Sequence, residues 1–267
     1  MSNLALRVVT GAIGLPLVGL LVLWRERWGF ALLVLLFCAL GLVELTRMTL
    51  AQAPRAQRVA VIATGVALSA ALYVRPGLAL VWVLGAAVVV ATAMLAHPGE
   101  IASATTRLAL AVFAVLYVGG FSAPLALLQR DLPEGPYWVF VAIAVTFTND
   151  TGAYFAGRFL GRHKLYPAIS PSKTIEGAVG GLAGGLIIAW VCRLTFFPEL
   201  TVRDCLLVAV PGAVLGPIGD LLESMIKRSA GVKDSGRMLP GHGGILDRVD
   251  ALLFVTAWIY VYTTQLR

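Results

Sequence analysis

The sequence predicts an all-α protein, a polytopic transmembrane helical bundle of about nine spans. Hydrophobic residues make up 59% of the 267 positions and charged residues only 13%, and the mean hydropathy is +0.87. A soluble domain carries about 25% charged residues, so this composition indicates a membrane protein. The backbone of a membrane segment must satisfy its own hydrogen bonds, which favours helices. The alternating pattern of a membrane barrel is absent from the sequence.

Nine apolar stretches are long enough, or nearly so, to cross a bilayer as helices, which takes about 20 residues each. The predicted spans are 8–24, 28–50, 59–75, 77–96, 108–129, 136–156, 176–197, 204–222 and 245–265. The eighth stretch is short, and a partly interfacial segment there is the alternative. The first stretch follows Arg7 without a small-residue cleavage site, which favours a retained helix over a removed signal peptide.

Basic residues are distributed unequally over the two sides of this predicted bundle. With nine spans, thirteen of the 21 Lys and Arg residues fall on the side of the N-terminus and seven on the other, while Arg248 lies at a span start. The positive-inside rule places the richer side in the cytoplasm. The net charge of +7 is therefore explained by topology, and nucleic acid is not an expected partner. We expect a multi-pass protein of a bacterial inner membrane whose active site faces the cytoplasm.

Two regions of the chain differ in polarity. Residues 1–135 form apolar helices with short loops and are expected to serve as scaffold and in oligomerisation. Residues 136–267 place polar groups within spans and carry two charged cytoplasmic loops, which predicts the catalytic region. Glu44 is the acidic residue well inside an early span. We expect it near a helix end or paired with Arg47, and a catalytic role is the weaker interpretation.

A stripe of glycines occurs in the seventh predicted span. Gly177, Gly181 and Gly185 stand at four-residue spacing, with Gly180 and Gly184 beside them. A phosphate-cradling loop would need the Lys and Ser/Thr of the Walker pattern, which are missing. Close helix packing, within the bundle or at a dimer contact, is the favoured interpretation.

The segment GDLLESMIKR carries the first group of candidate site residues. On a helix, Asp220, Glu223, Ser224, Lys227 and Arg228 share one face. Two carboxylates one turn apart can hold a hard cation, and the two cations that follow can meet phosphate oxygens. The alternative is an intrahelical salt-bridge ladder on a solvated face. The position at the edge of a span favours a functional role.

A second acidic pair lies in the segment HGGILDRVD. Asp247 and Asp250 stand three residues apart at the start of the last span, where a charge at the bilayer centre costs about 2.5–3.5 kcal/mol. They should therefore face a polar cavity, a metal or a cationic partner. Gly243 and Gly244 would let the backbone approach a ligand, or form only a turn. His242 lacks partners at zinc-ligand spacing, and a substrate hydrogen bond and a structural loop contact remain equally open for it.

The third polar element follows Asp150, at the end of an apolar span. Its loop adds cations and hydroxyls that suit a polyphosphate and a polar head group: Arg158, Ser172, Lys173 and Thr174. The same mixture suits a membrane-surface loop attracted to anionic lipid. Beside two carboxylate pairs, a nucleotide or phosphate site is favoured.

These segments resemble a known family. The run S-x2-K-R-x4-K-D-x-G-x2-L-P-x-H-G-G-x2-D-R-x-D, from Ser224 to Asp250, resembles the signature of phosphatidate cytidylyltransferases, also called CDP-diacylglycerol synthases. Upstream, DTGAYFAGR and SPSKTIEG are similar to further motifs of that family. The resemblance covers about 149–250, whereas the earlier residues match only as generic apolar spans.

The resemblance implies an activity and a set of site residues. CTP and phosphatidate would give CDP-diacylglycerol and pyrophosphate, with Mg²⁺ required, a second cation left open, a membrane lipid as partner and a homodimeric helical bundle. Asp220 and Asp247 would be the main metal carboxylates, and spacing adds Glu223 and Asp250. Asp150 would orient metal, water or base. The expected phosphate and substrate ligands are Lys227, Arg228, Lys173, Ser172, Thr174, Arg158, Lys233, Arg237, His242 and Arg248.

Two other functions remain as alternatives. A CTP-dependent kinase of a polyprenyl or phytyl alcohol would transfer the γ-phosphoryl group, release CDP and need a base for its alcohol. A transporter would also carry intramembrane carboxylates and broken helices. The sequence shows no inverted repeat, and its polar residues cluster on one side, so the transporter is the weaker alternative.

Overall fold

The computed structural model describes residues 3–236, 238 and 243–267, with side chains described from Gly11 onward. Within that part the chain forms ten α-helices and one small two-stranded hairpin, so the predicted all-α class is confirmed. The chain divides into two compact units. Unit 1 comprises residues 1–127 and 229–247, and unit 2 comprises residues 128–228 and 248–267. The predicted functional division at residue 135 stays a prediction.

Unit 1 consists mainly of the first five helices. They are α1 (Asn3–Leu23), α2 (Trp28–Thr49), α3 (Arg55–Val74), α4 (Ala79–Ala96) and α5 (Ala104–Ala114). A 3₁₀ turn precedes α4 at Pro76–Leu78, and another precedes α5 at Ile101–Ser103. A π-helical turn, Val115–Gly120, leads from α5 into α6 (Phe121–Asp131), which continues into unit 2.

Close backbone approach holds α3 against the π-helical turn. A Cβ atom on Gly119 would lie 2.5 Å from the carbonyl oxygen of Gly65, which leaves no room for a side chain. On Gly65 a Cβ would likewise lie 2.6 Å from a methyl group of Leu42 in α2. Small residues at such crossings let helices pack by backbone contact, which is the expected form of helix association in a membrane.

Unit 2 contains the remaining elements. They are α7 (Gly135–Leu160), β1 (Lys164–Tyr166), β2 (Ser170–Thr174), α8 (Ile175–Thr195), α9 (Val202–Ser229) and α10 (Leu246–Val261). The strands pair antiparallel, Lys164 opposite Thr174 and Tyr166 opposite Ser170. A π-helical turn, Tyr262–Leu266, follows α10. The first two residues of α10 and the last residue of α9 belong to unit 1.

The glycine stripe packs α8 against α7. A Cβ on Gly184 would lie 2.9 Å from the carbonyl oxygen of Thr148, and one on Gly177 would lie 2.9 Å from that of Ala153. Gly152 of α7 is equally constrained, because a Cβ there would lie 2.5 Å from the Gly180 carbonyl oxygen. The packing interpretation of the stripe is therefore confirmed, and the packing is within the bundle.

A proline explains one contact between α9 and α10. Pro211 has no backbone N–H, so the carbonyl of Leu207, four residues earlier, lacks its usual intrahelical donor. The indole Nε1 of Trp258 in α10 donates to that carbonyl oxygen at 2.7 Å. A backbone group that would be unsatisfied in hydrocarbon is thereby paired.

Eight helices of the described residues are long and apolar enough to cross a membrane, the first of them α2 and the last α10 with its π-helical turn. They correspond to the second to ninth predicted spans. The described apolar part of α1, Gly11–Leu23, is shorter, so the first predicted span stays a prediction. The helix that contains the eighth predicted stretch is not short, whereas a partly interfacial position of the stretch stays a prediction. The stretch belongs to the 28-residue helix α9, because the charged face that follows continues the helix.

Candidate functional site

The C-terminal end of α9 carries the first part of the candidate site. The helix continues to Ser229, so the predicted helical face is confirmed. The Oγ atom of Ser224 donates to Oδ1 of Asp220 at 3.2 Å, one turn earlier. The Lys227 Nζ atom lies 2.5 Å from Oε2 of Glu223, and the two side chains are 10% and 1% exposed. The alternative of an intrahelical salt-bridge ladder on a solvated face is confirmed only in part. Lys227 and Glu223 do form an intrahelical ion pair, but the pair is buried and not on a solvated face.

The hairpin of β1 and β2 supplies a second lysine, which pairs with Asp220 of α9. Nζ of Lys173, on β2, lies 2.7 Å from Oδ2 of Asp220, and both side chains are partly exposed. Sequence spacing brought Asp220 together with Lys227, but it did not predict the pairing with Lys173. The hairpin fold creates that pair by returning the loop after α7 towards α9.

Two further carboxylates lie within electrostatic range of Asp220. Asp150 on α7 interacts with Asp220 and Lys173, and Asp250 on α10 interacts with Asp220, Lys227 and Asp150. We call the six side chains of unit 2 the carboxylate–lysine cluster: Asp150, Lys173, Asp220, Glu223, Lys227 and Asp250.

A glycine brings the α9 and α10 carboxylates near each other. A Cβ on Gly219 would lie 2.5 Å from the carbonyl oxygen of Asp250, so only glycine allows this approach. Asp250 is 9% exposed, and its Oδ1 accepts from the N–H of Ala251 at 2.8 Å. A close backbone crossing thus places the next side chain on α9, that of Asp220, within electrostatic range of Asp250.

The end of α7 differs from the sequence expectation. Asp150 was expected at the end of a span and Arg158 in the loop, but α7 runs on to Leu160. Asp150 is therefore well inside the helix, and Arg158 lies in its last turn, where its Nη1 donates to the Tyr154 hydroxyl at 2.8 Å. The helix is extended because α8 packs against its second half through the glycine stripe.

The hairpin is fixed to the start of α8 by side chains. The Thr174 hydroxyl accepts from the N–H of Gly177 at 3.0 Å and so caps α8. The Glu176 carboxylate accepts from the N–H groups of Arg162 and His163 and lies 2.6 Å from Nδ1 of His163. These contacts fix the position of β2, and with it Lys173, relative to the first turn of α8.

Unit 1 holds a separate group of predicted site residues, at the start of α10. Oδ2 of Asp247 accepts from the N–H groups of Gly244 at 2.9 Å and Ser235 at 3.0 Å. It also lies 3.0 Å from the Ser235 hydroxyl, whose single proton it shares with a second carboxylate, that of Glu44. A carboxylate that accepts this many hydrogen bonds is held in one orientation. Asp247 is therefore a fixed group in the first turn of α10.

Glu44 joins the same network, which sequence reasoning did not predict. Its Oε1 accepts from the N–H of Ile245 at 3.1 Å, and its Oε2 accepts from the N–H of Leu246 at 2.9 Å and from the Ser235 hydroxyl at 3.0 Å. Of the two expectations for Glu44, a place near the helix end is confirmed, because it lies in the last two turns of α2. The pairing with Arg47 is wrong, since the hydrogen-bond partners are backbone and hydroxyl groups of a distant segment. The feature of the sequence that could have indicated this network is an acidic residue isolated within an apolar span.

The remaining predicted ligands occupy varied places. Four of them are exposed: Ser172 on β2, Arg228 near the end of α9, Lys233 in the following segment, and Arg248 in α10. Arg237 and His242 lie outside the described residues, and their predicted roles stay predictions.

The donor types of the carboxylate–lysine cluster fit a hard divalent cation. Mg²⁺ is usually bound by one or two carboxylates together with substrate phosphates and water. Among the residues that the structure describes, no group of three or more His, Cys, Asp and Glu side chains could hold a metal ion. Asp220 and Asp250, which interact electrostatically, supply the two carboxylates of such a site, and phosphate and water would complete it. Glu223 fits less well, because its side chain is only 1% exposed and its lysine partner is buried with it, whereas Asp220 is partly exposed.

In the described residues, eight long apolar helices and a cluster of carboxylates and lysines define a polytopic integral membrane protein with a charged site. A family model described as the cytidylyltransferase family matches residues 5–266, so this chain belongs to the cytidylyltransferase family. The family recognised from the signature is thereby confirmed.

Curated relatives share substantial identity with the chain. A protein of Staphylococcus saprophyticus is 42% identical over 159 residues, which cover 59% of this chain and 60% of that protein. A Staphylococcus haemolyticus protein is 47% identical over 50% of this chain and 51% of its own length, and one of Bacillus subtilis is 46% identical over 49% of each. All three are named phosphatidate cytidylyltransferase. The chain thus spans about half to three-fifths of the length of these relatives.

Proposed function

We propose that the protein is a phosphatidate cytidylyltransferase, an integral membrane enzyme that converts CTP and phosphatidate to CDP-diacylglycerol and pyrophosphate. The observation that carries the proposal is the carboxylate–lysine cluster, found in a chain of the cytidylyltransferase family. The name shared by its relatives supports the choice of phosphatidate as the acceptor.

The proposed reaction needs no strong general acid or general base in the protein. Phosphate monoesters lose their second proton around pH 6, so the phosphate of phosphatidate is already a competent nucleophile near neutral pH. One of its oxygens forms a bond to the α-phosphorus of CTP, while the bond from that phosphorus to the bridging oxygen of pyrophosphate breaks. Both electrons of the broken bond leave with pyrophosphate, and no proton transfer is required. The site must therefore bring two polyanions together and stabilise the developing charge.

The lysines of the cluster suit that task. Lys173 and Lys227 are each paired with a carboxylate, which holds their ammonium groups in place until phosphate binds. A lysine ammonium on its flexible stem can turn from a carboxylate to a phosphate oxygen. In this scheme Asp220 and Glu223 position the two cations before substrate binding.

A magnesium ion belongs to the proposal. Asp220 and Asp250 of unit 2 would hold it. That Asp247, in unit 1, is a metal carboxylate stays what the family resemblance implies. When bound, the ion polarises phosphoryl oxygens and neutralises charge on the leaving pyrophosphate. Glu223 is better suited to holding Lys227 than to binding the metal.

Topology and assembly complete the proposal. We infer an active site that faces the cytoplasm of a bacterial inner membrane, because the basic residues are more numerous on one predicted side and CTP is cytosolic. The homodimer implied by the family resemblance and a second cation stay predictions.

The decisive experiment follows both products of a labelled substrate. Purified protein in detergent is incubated with phosphatidate, Mg²⁺ and CTP labelled at the α- or the γ-phosphate. We expect α-label in the lipid and γ-label in pyrophosphate, and EDTA should abolish turnover until Mg²⁺ is restored in excess. In a parallel assay with a polyprenyl or phytyl alcohol instead of phosphatidate, transfer of the γ-label to the alcohol with release of CDP would identify the kinase. The absence of any turnover with phosphatidate would contradict the proposal.

A further inference from the structure

Glu44 is a buried acid in a membrane-spanning helix. It lies in the last two turns of α2, within a candidate span, and is only 1% exposed. A carboxylate at membrane depth is expensive unless it is paired or hydrogen-bonded. Its three hydrogen bonds, to the N–H groups of Ile245 and Leu246 and to the Ser235 hydroxyl, supply that compensation.

The N–H partners of Glu44 lie at the beginning of α10. The first N–H groups of a helix have no intrahelical acceptor, and the helix dipole makes that end attractive to a negative charge. Here the acceptor is supplied by a side chain about two hundred residues earlier in the sequence. Glu44 therefore caps α10 from a different helix and fixes where α10 starts.

Two glycines of the segment after α9 leave space for this carboxylate. A Cβ on Gly244 would lie 2.6 Å from Oε2 of Glu44, and one on Gly236 would lie 2.7 Å from its Cδ. The backbone of unit 1 thus encloses the carboxylate from two sides. Such a fit is needed for precise positioning and exceeds what a solubilising or lipid-facing acid would require.

Ser235 connects Glu44 to Asp247. Its hydroxyl lies 3.0 Å from Oε2 of Glu44 and 3.0 Å from Oδ2 of Asp247, and its N–H donates to the same Asp247 oxygen. Asp247 is thereby held both through the serine and through the start of its own helix. Glu44 contacts both supports, since it accepts from the serine hydroxyl and from the N–H groups of Ile245 and Leu246.

We propose that Glu44 is a positioning residue of the enzyme, which sets the orientation of Asp247 through Ser235 and the first turn of α10. The inference rests on the proposed function for its catalytic consequence. A purely structural anchor would change only the amount or stability of folded protein. A positioning residue must also change turnover per folded molecule.

The test compares Glu44→Gln with a matched control, Glu26→Gln, which makes the same change at an exposed site between α1 and α2. Glutamine keeps the volume but presents an NH₂ group to an N–H donor, so one hydrogen bond is replaced by a repulsive contact. We expect kcat per folded enzyme to fall about 10–100-fold, the range typical of residues that orient a ligating side chain without touching the ligand themselves. The KM for CTP should stay within about threefold of the parent, because Glu44 does not touch the nucleotide in this scheme.

Two further readouts separate positioning from folding. Hydrogen exchange of peptides from 229–236 and 243–250 should accelerate in Glu44→Gln, while peptides of α7 and α8 stay protected. Ser235→Ala should lower kcat in the same direction, and the double variant should lose less than the product of the two single effects. Glu26→Gln should match the parent in every measurement.

The outcomes distinguish this proposal from the proposed function. A kcat for Glu44→Gln within twofold of the parent, or a loss that vanishes when normalised to folded protein, would overturn the positioning role. If the parent protein makes no CDP-lipid at all, the proposed function fails. The exchange comparison then still decides whether Glu44 holds the segment that carries Asp247, and unchanged exchange there would overturn the inference.

Discussion

In unit 2 the carboxylates of Asp220 and Glu223 pair with lysine side chains, whereas in unit 1 those of Glu44 and Asp247 accept hydrogen bonds from backbone N–H groups and a serine. The two arrangements differ in what can move. A lysine side chain can change partners by rotating its stem, but an N–H group at the start of a helix moves only with the backbone. Unit 2 therefore holds exchangeable pairs, and unit 1 holds a fixed frame.

Acidic residues therefore have a different role in each unit. An exchangeable pair can release its cation to an incoming phosphate and accept it again after product leaves. A fixed carboxylate keeps a constant position through the cycle, which suits a ligand of a metal or its support. Substitutions should therefore affect the two units differently, and the predictions below rank those effects.

The largest effect is expected at the fixed carboxylate, Asp247. In Asp247→Asn the side-chain oxygen can still accept from Ser235 and Gly244, so the first turn of α10 should survive. The lost negative charge should lower turnover about 1,000-fold, because a bound metal supplies several kcal/mol of charge stabilisation. Turnover and thermal unfolding in detergent measure the two aspects. Near-normal activity of a folded Asp247→Asn protein would disprove the metal role.

A smaller effect is expected at the exchangeable pair of Lys173 and Asp220. Lys173→Met keeps most of the side-chain length and removes the cation, which should lower kcat/KM for CTP about 100-fold if this lysine meets a phosphate. Lys164→Met, on the neighbouring strand of the same hairpin, is the matched control and should change kcat/KM by less than about threefold, since surface charges contribute little. Equal losses in both variants would show that only the net charge of the hairpin matters.

The sequence sufficed to predict the helical class, eight of the spans and the face of α9 from Asp220 to Arg228. These features depend on apolar length and on the 3.6-residue period, both of which are local. The pairing of Lys173 with Asp220 was not predictable, because it depends on how the hairpin returns to α9. The Glu44 network was missed for the same reason, since its partners lie about two hundred residues away and are mostly backbone groups.

The end of α7 shows how packing extends an element beyond its sequence signal. Asp150 and Arg158 interrupt the apolar stretch, which led to a predicted end near residue 156 and a loop position for Arg158. The glycine stripe of α8 packs along α7 and stabilises its backbone as far as Leu160. Tertiary contact thus overrides the local polarity at this boundary.

A moderate loss of stability is expected at the buried pair of α9. Glu223→Gln replaces the charge that faces Lys227, and a hydrogen bond to a charged group contributes about 1.5–3 kcal/mol. The free energy of unfolding should fall by about 2 kcal/mol on that scale, measured by thermal or denaturant unfolding in detergent. The Mg²⁺ dependence of turnover should stay unchanged if Glu223 holds Lys227. A tenfold or larger rise in the Mg²⁺ requirement would restore Glu223 as a metal ligand.

The smallest effect is expected at the cap of α8, where Thr174 fixes the end of β2. Thr174→Ala removes the acceptor for the N–H of Gly177 and should lower the free energy of unfolding by about 1 kcal/mol, the usual value of a helix cap. Thr174→Ser retains the hydroxyl and should restore most of that loss. Because Thr174 directly follows Lys173, the alanine variant should also raise the KM for CTP slightly, by about two- to threefold. Wild-type stability of Thr174→Ala, or a serine variant as unstable as the alanine one, would show that the hydroxyl does not act as a cap.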